Sequence, residues 1–139
     1  MELERADAIL HAGDFIAASV LDELERFAPV DGVAGNMDDA ALRARLPARQ
    51  VADVERARIG MIHDAGPAVG RQARLRAAFP GCQAVVYGHT HMPHVEALDG
   101  VWILNPGSPT ERRRAPTRSL LVVEVSGDRL VPDLVALDT

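Results

Sequence analysis

Ala84-Val85-Val86-Tyr87-Gly88-His89-Thr90-His91 is the stretch on which the fold turns, an apolar run that closes on a glycine and two histidines one residue apart. Branched and aromatic residues in succession, ended by glycine, read as a buried strand that stops at a loop. The histidines therefore sit at a strand end. Neutral imidazole is the commonest protein ligand of zinc, iron, nickel and manganese, and a pair at i and i+2 on a bending backbone can face two adjacent metal positions. A His-x-His pair by itself is as much at home on a surface loop, so the rest of the chain has to decide.

Working outward, Asp14 follows Ile9-Leu10-His11-Ala12-Gly13, Asn36 follows Val33-Ala34-Gly35, and His63 follows Ile59-Gly60-Met61-Ile62. Each is a polar ligand type at the end of a short apolar run. In a sheet of roughly parallel strands the carboxyl ends share one edge, where open α/β folds place their sites. Together with Gly88-His89-Thr90-His91, Gly35-Asn36-Met37-Asp38 and Asn105-Pro106-Gly107-Ser108-Pro109, these motifs resemble the calcineurin-like metallophosphoesterases, in particular their short bacterial and archaeal phosphodiesterase branch. The resemblance runs in order over nearly the whole chain. It implies an α/β fold, a two-sheet β-sandwich flanked by helices in α-β-β-α layers.

At 139 residues the chain is expected to form one domain, residues 1–139, large enough to bury a core. Its 47% hydrophobic and 25% charged residues are ordinary for a globular protein. No apolar stretch approaches the ~20 residues needed to cross a bilayer, and Met1-Glu2-Leu3-Glu4-Arg5 is unlike a signal peptide, so a cytoplasmic protein is expected. Cys82, the single cysteine, excludes a disulfide framework and reads as a small residue at a helix-to-strand turn. A net charge of −5 disfavours a general nucleic-acid or anionic-lipid surface.

In chain order, Ala8 to His11 reads as a strand, residues 16 to 28 as an amphipathic helix closed by Pro29, and Val30 to Ala34 as a second strand. Strand, helix, strand predicts parallel pairing. A short helix is expected over 38 to 46. Val51 to Val54 and Arg58 to Ile62 follow as an antiparallel pair about Glu55-Arg56, then a helix from about Val69 to Phe79, stopped by Pro80-Gly81. Val95 to Leu98 and Val101 to Leu104, joined by Asp99-Gly100, carry the strongest hairpin signal, with Trp102 expected in a core. Two prolines make residues 105–109 a loop, and the arginines of residues 111–118 read as a solvated loop before an anion-steering one. A last hairpin is expected over Ser119 to Val125 and Arg129 to Leu137.

Phosphodiester hydrolysis at neutral pH needs a strong nucleophile and relief of charge on the phosphoryl oxygens, and two divalent ions about 3.5–4 Å apart supply both. The resemblance assigns the metal ligands to Asp14, Asn36, His63, His89 and His91, with Asp14 bridging, His91 serving the second ion, and Asn36 also meeting substrate. No catalytic residue is assigned beyond a metal-activated water. Manganese is the first expectation for the ion, with nickel, iron, zinc or magnesium as alternatives. A small phosphodiester is the expected substrate, and self-association is left open. Each residue also has a plainer reading: Asp14 and Asn36 as helix caps or turn formers, His63 as a hydrogen-bonded surface histidine. His11 and His94 are read as structural, and Asp38 as a cap.

The chain also departs from the family pattern. The resemblance implies a first strand ending in Asp-x-His, which would supply the other ligands of one metal, and no such motif precedes Asp14. The expectation is therefore an N-terminally incomplete domain, by a mis-set start codon or truncated gene before a natural shortening. Such a chain would hold one ion or none, with weak or no turnover. Met37 stands where many members have a histidine proposed to protonate the leaving group, and Asp64-Ala65 replaces the usual Gly-His. The alternative function is a non-catalytic scaffold of the same fold, as the retromer subunit is.

Overall fold

The computed structural model describes residues 9–11, 30–33, 46–47, 49–90, 92–107 and 119–136. Two short strands, β1 (Ile9–His11) and β2 (Val30–Gly32), pair in parallel, with Ile9 opposite Val30. The main sheet comprises β3 (Arg49–Val54), β4 (Ala57–Ile62), β5 (Ala84–Tyr87), β6 (His94–Leu98) and β7 (Val101–Asn105). Its order is β3-β4-β5-β7-β6, with β4, β5 and β7 parallel and the edge strands antiparallel. Helix α1 (Arg71–Ala78) connects β4 to β5, and β8 (Ser119–Ser126) pairs with β9 (Arg129–Ala136) in a terminal hairpin.

Side chains alternate across a strand, and here the alternation sorts two cores. Ala57, Ile59, Ala84 and Leu104 meet Leu130 of the hairpin, with Val86, Trp102, Leu121, Val123 and Val125 packed around them. Leu10 and Val33 join the same side against Met61 and Ala52. The intervening residues Val85, Tyr87 and Ile103 face the other way, onto Leu75 and Phe79 of the helical segment and Cys82. The sheet is thus buried on both faces, which is why its central strands are apolar runs without a polar side. Truncating Leu75, 3% exposed, to alanine would cost about 2–5 kcal/mol.

Two turns confirm local rules. Asp99 and Gly100 both adopt positive φ, 51° and 80°, as a two-residue hairpin loop with matching twist requires. Gly127, at the tip of the last hairpin, accepts from Arg56 N–H at 2.9 Å and donates to Glu55 Oε2 at 2.5 Å, tying that hairpin to the β3–β4 turn.

The α/β sandwich expected from the sequence is the fold found, and the three antiparallel pairs fall where the alternation predicts. Corrections are small. β2 is shorter than the 30–34 expected, and Val33, just beyond it, is fully buried. β3 begins at Arg49, because the ladder extends through polar residues to pair Arg49 with Ile62. The helices expected over 16–28 and 38–46, and the arginine-rich segment 111–118, lie outside the described residues.

Candidate functional site

Because β4, β5 and β7 are parallel neighbours in register, Ile62 beside Tyr87 and Val86 beside Leu104, their carboxyl ends emerge along one edge. His63 leaves β4 there, Gly88-His89 leave β5, and Asn105 ends β7 opposite His94, the first residue of β6. His63 is 4% exposed and His89 half-buried. Their imidazoles stand nearly perpendicular, 83°, with centroids 5.3 Å apart. An ordinary edge-to-face pair has this spacing, about 4.5–7 Å. So do two imidazoles that share one ion at about 2.0–2.1 Å from nitrogen, so the donor chemistry and spacing fit a divalent metal.

The loop that carries His89 is tightly turned. Gly88 N–H donates to His63 O at 2.9 Å, which couples the two strand exits. Thr90 N–H donates to Gly88 O at 2.9 Å across His89, whose φ is 71°. A two-residue bond around a central residue at positive φ is the rarer, strained form of γ-turn. Fully buried Asn105 meets both flanks: its Nδ2 donates to Thr90 Oγ1 at 3.1 Å and to Gly88 O at 3.4 Å, while its Oδ1 accepts from Gly107 N–H at 2.9 Å.

Beside this loop Tyr87 Oη and His94 Nδ1 are 2.7 Å apart, and His94 Nε2 lies 3.1 Å from Glu96 Oε1, which also accepts from Gln72 Nε2 of α1 at 3.3 Å. The Arg71 guanidinium covers the Tyr87 ring, 5.1 Å from its centroid, and donates to Gly66 O at 3.0 Å. Arg74 donates to the carbonyls of Ala65, Pro67 and Val69, and Asp64 Oδ1 accepts from Gly66 N–H at 2.9 Å. These arginine bonds to neutral carbonyls shape the segment after His63 and cancel no charge.

Of the five expected ligands, His63 and His89 are brought together. Asp14, Asn36 and His91 lie outside the described residues. Among the described residues no group of three or more His, Cys, Asp or Glu side chains is placed to hold an ion. His94, read as structural, opens β6 and has the side-chain partners of one, and Cys82 is buried and free. Asn105 and Thr90 were given no role by sequence reasoning. Asn105 nevertheless obeys the rule that singled out Asp14, Asn36 and His63, a polar residue ending a short apolar run.

Comparison with known proteins agrees. The family model for the calcineurin-like phosphoesterase superfamily domain matches residues 1–128. A probable metallophosphoesterase of Methanothermobacter thermautotrophicus is 35% identical over 131 residues, 93% of this chain and 75% of that protein. One of Methanocaldococcus jannaschii is 33% identical over 99% of this chain and 70% of its own length. Among solved structures, a Thermotoga maritima protein superposes with TM-score 0.74 at 33% identity, covering 98% of this chain and 84% of that one. Entamoeba histolytica Vps29 shares the fold, TM-score 0.76 at 20% identity over 99% and 87% of the two chains. Motif order, sheet topology and these matches lead to one conclusion: the chain belongs to the calcineurin-like phosphoesterase superfamily.

Proposed function

We propose that this protein is a metal-dependent phosphodiesterase whose site lies at the carboxyl edge of β4, β5 and β7. The observation that carries the reading is the His63–His89 pair, two imidazoles from adjacent strand exits at 5.3 Å. His63 and His89 would hold a divalent ion, manganese by preference, with Asp14, Asn36 and His91 completing the ligand set. Bound divalent ions supply Lewis acidity and an activated water for attack at phosphorus. The chain's own groups prepare that chemistry: Gly88 N–H fixes the distance between the two strand exits, and the segment after His63, shaped by Arg71 and Arg74, lines the approach of an anionic ester. Asn36 would also touch the substrate. A cytoplasmic setting belongs to the same reading, consistent with a single, buried cysteine and no disulfide framework.

Titration with Mn²⁺ by calorimetry, followed by hydrolysis of bis(p-nitrophenyl) phosphate, tests it. The wild-type chain is expected to bind Mn²⁺ with weak turnover at most, and His63→Ala, His89→Ala and Asp14→Ala to weaken binding by about 100-fold or more and to abolish that turnover. A wild-type chain that binds none of Mn²⁺, Ni²⁺ or Zn²⁺ would overturn the enzyme reading and leave the scaffold alternative.

A further inference from the structure

His89 occupies a backbone conformation that an L-residue adopts at a cost of about 1–3 kcal/mol, and such strain persists only where the surroundings over-determine it. Released, the turn would relax to negative φ and carry the imidazole away from His63. Some group must hold it.

We propose that Asn105 is the positioning residue for His89. This rests on the reading of His63 and His89 as metal ligands and adds to it the part that sets their geometry. The Asn105 carboxamide spans the γ-turn: its Nδ2 donates to Thr90 Oγ1 at 3.1 Å on the far side of His89 and to Gly88 O at the longer distance of 3.4 Å on the near side. Gly88 O is the acceptor that closes the turn to Thr90 N–H, so Asn105 meets the turn at the atom that defines it. Thr90 Oγ1 also accepts from Met92 N–H at 3.2 Å.

A clamp works only if it is itself fixed, and Asn105 is. It ends β7 with its backbone in the ladder opposite His94, and its side chain has 0% exposure. Its Oδ1 is bound to Gly107 N–H, and Gly107 adopts φ 74°, where an added Cβ would collide with Ser119 Oγ and fall 3.1 Å from Pro93 Cγ. Ser119, the fully buried first residue of β8, donates its hydroxyl to Pro106 O at 2.8 Å. A continuous path of short contacts thus runs from the terminal hairpin through Pro106 and Asn105 to the turn that aims His89. The hairpin layer, which contributes no ligand to the reading, preorganises the site in this way.

The test uses the full chain and two readouts, one of which needs no metal. In Asn105→Leu, similar in volume but unable to hydrogen-bond, the amide at position 90 of the metal-free protein is expected to exchange its hydrogen at least tenfold faster, and Mn²⁺ affinity to fall about 10- to 100-fold. Thr90→Val should move both readouts in the same direction, and Thr90→Ser, which keeps the hydroxyl, should restore them. If Asn105→Leu does not fold, the Thr90 pair decides. Wild-type exchange at position 90 and wild-type Mn²⁺ affinity in Asn105→Leu, or in Thr90→Val, would overturn the proposal. A wild-type chain that binds no Mn²⁺ refutes the metal reading instead, and the exchange rates still decide whether Asn105 holds the turn.

Discussion

The hydroxyl of Tyr87 and Nδ1 of His94 are 2.7 Å apart, so a side-chain hydrogen bond joins the residue before the histidine loop to the residue after it. The rings are edge to face with centroids 5.8 Å apart, and His94 is secured in turn by Glu96. Tyr87 and His94 are therefore joined by side chains as well as through the sheet. Tyr87→Phe keeps the packing and removes the bond, and leaves one nitrogen of a half-buried imidazole without it. We expect a loss of about 1 kcal/mol in urea denaturation and faster amide exchange at positions 88–90. Unchanged exchange with lowered stability would show that the bond serves the core alone.

The Phe79 ring lies directly on Gly60. A Cβ at position 60 would sit 2.5 Å from ring carbons Cγ and Cδ1, contacts that real structures do not tolerate. Gly60→Ala should destabilise by about 1–3 kcal/mol through overpacking. Phe79→Leu alone creates space and costs stability of its own. The double variant is expected to lose less than the two singles added together, because each relieves what the other disturbs. Strict additivity in denaturation midpoints would show that the ring moves away freely.

Burial pushes the Cys82 thiol up from its ordinary range, with the nearby Arg58 opposing and Asp53 adding to the shift. An unfolded thiol releases its proton near pH 8.5, below the folded value. Between those two values the unfolded chain binds fewer protons than the folded one, so this group's stabilising effect is complete below the unfolded pKa and is lost as pH rises through the window to the folded value. Iodoacetamide should therefore modify Cys82 at neutral pH far more slowly in the native protein than in urea. The native protein should also lose stability above about pH 8.5 by more than a Cys82→Ala variant does. Equal alkylation rates in the native and unfolded states would contradict the burial.

Much of the architecture is written in short stretches. Asp99-Gly100 specify a hairpin because both positions need positive φ, and 84–87 specify a buried strand because no residue among them offers a polar face. Pro80-Gly81 stop the helix because proline cannot continue it. The polar residue ending each apolar run marked His63 and His89 for one edge, and the structure brings those two together. Asp14 and Asn36, marked by the same rule, and His91, the second histidine of the pair, lie outside the described residues.

The amino-acid sequence by itself determined the strand pattern, the hairpins and, through the order of its motifs, the identity of the superfamily, since periodicity and turn chemistry act over a few residues at a time. It left Asn105 as a loop residue without a task. Only the tertiary structure gave it one, and the reason is the strand order: β7, later in the chain than β6, inserts between β5 and β6. That insertion sets Asn105 against Gly88 and Thr90, 17 and 15 positions away. Hydrogen bonds across such a separation depend on which edges pair and in what register, and no local preference of the residues involved encodes that choice.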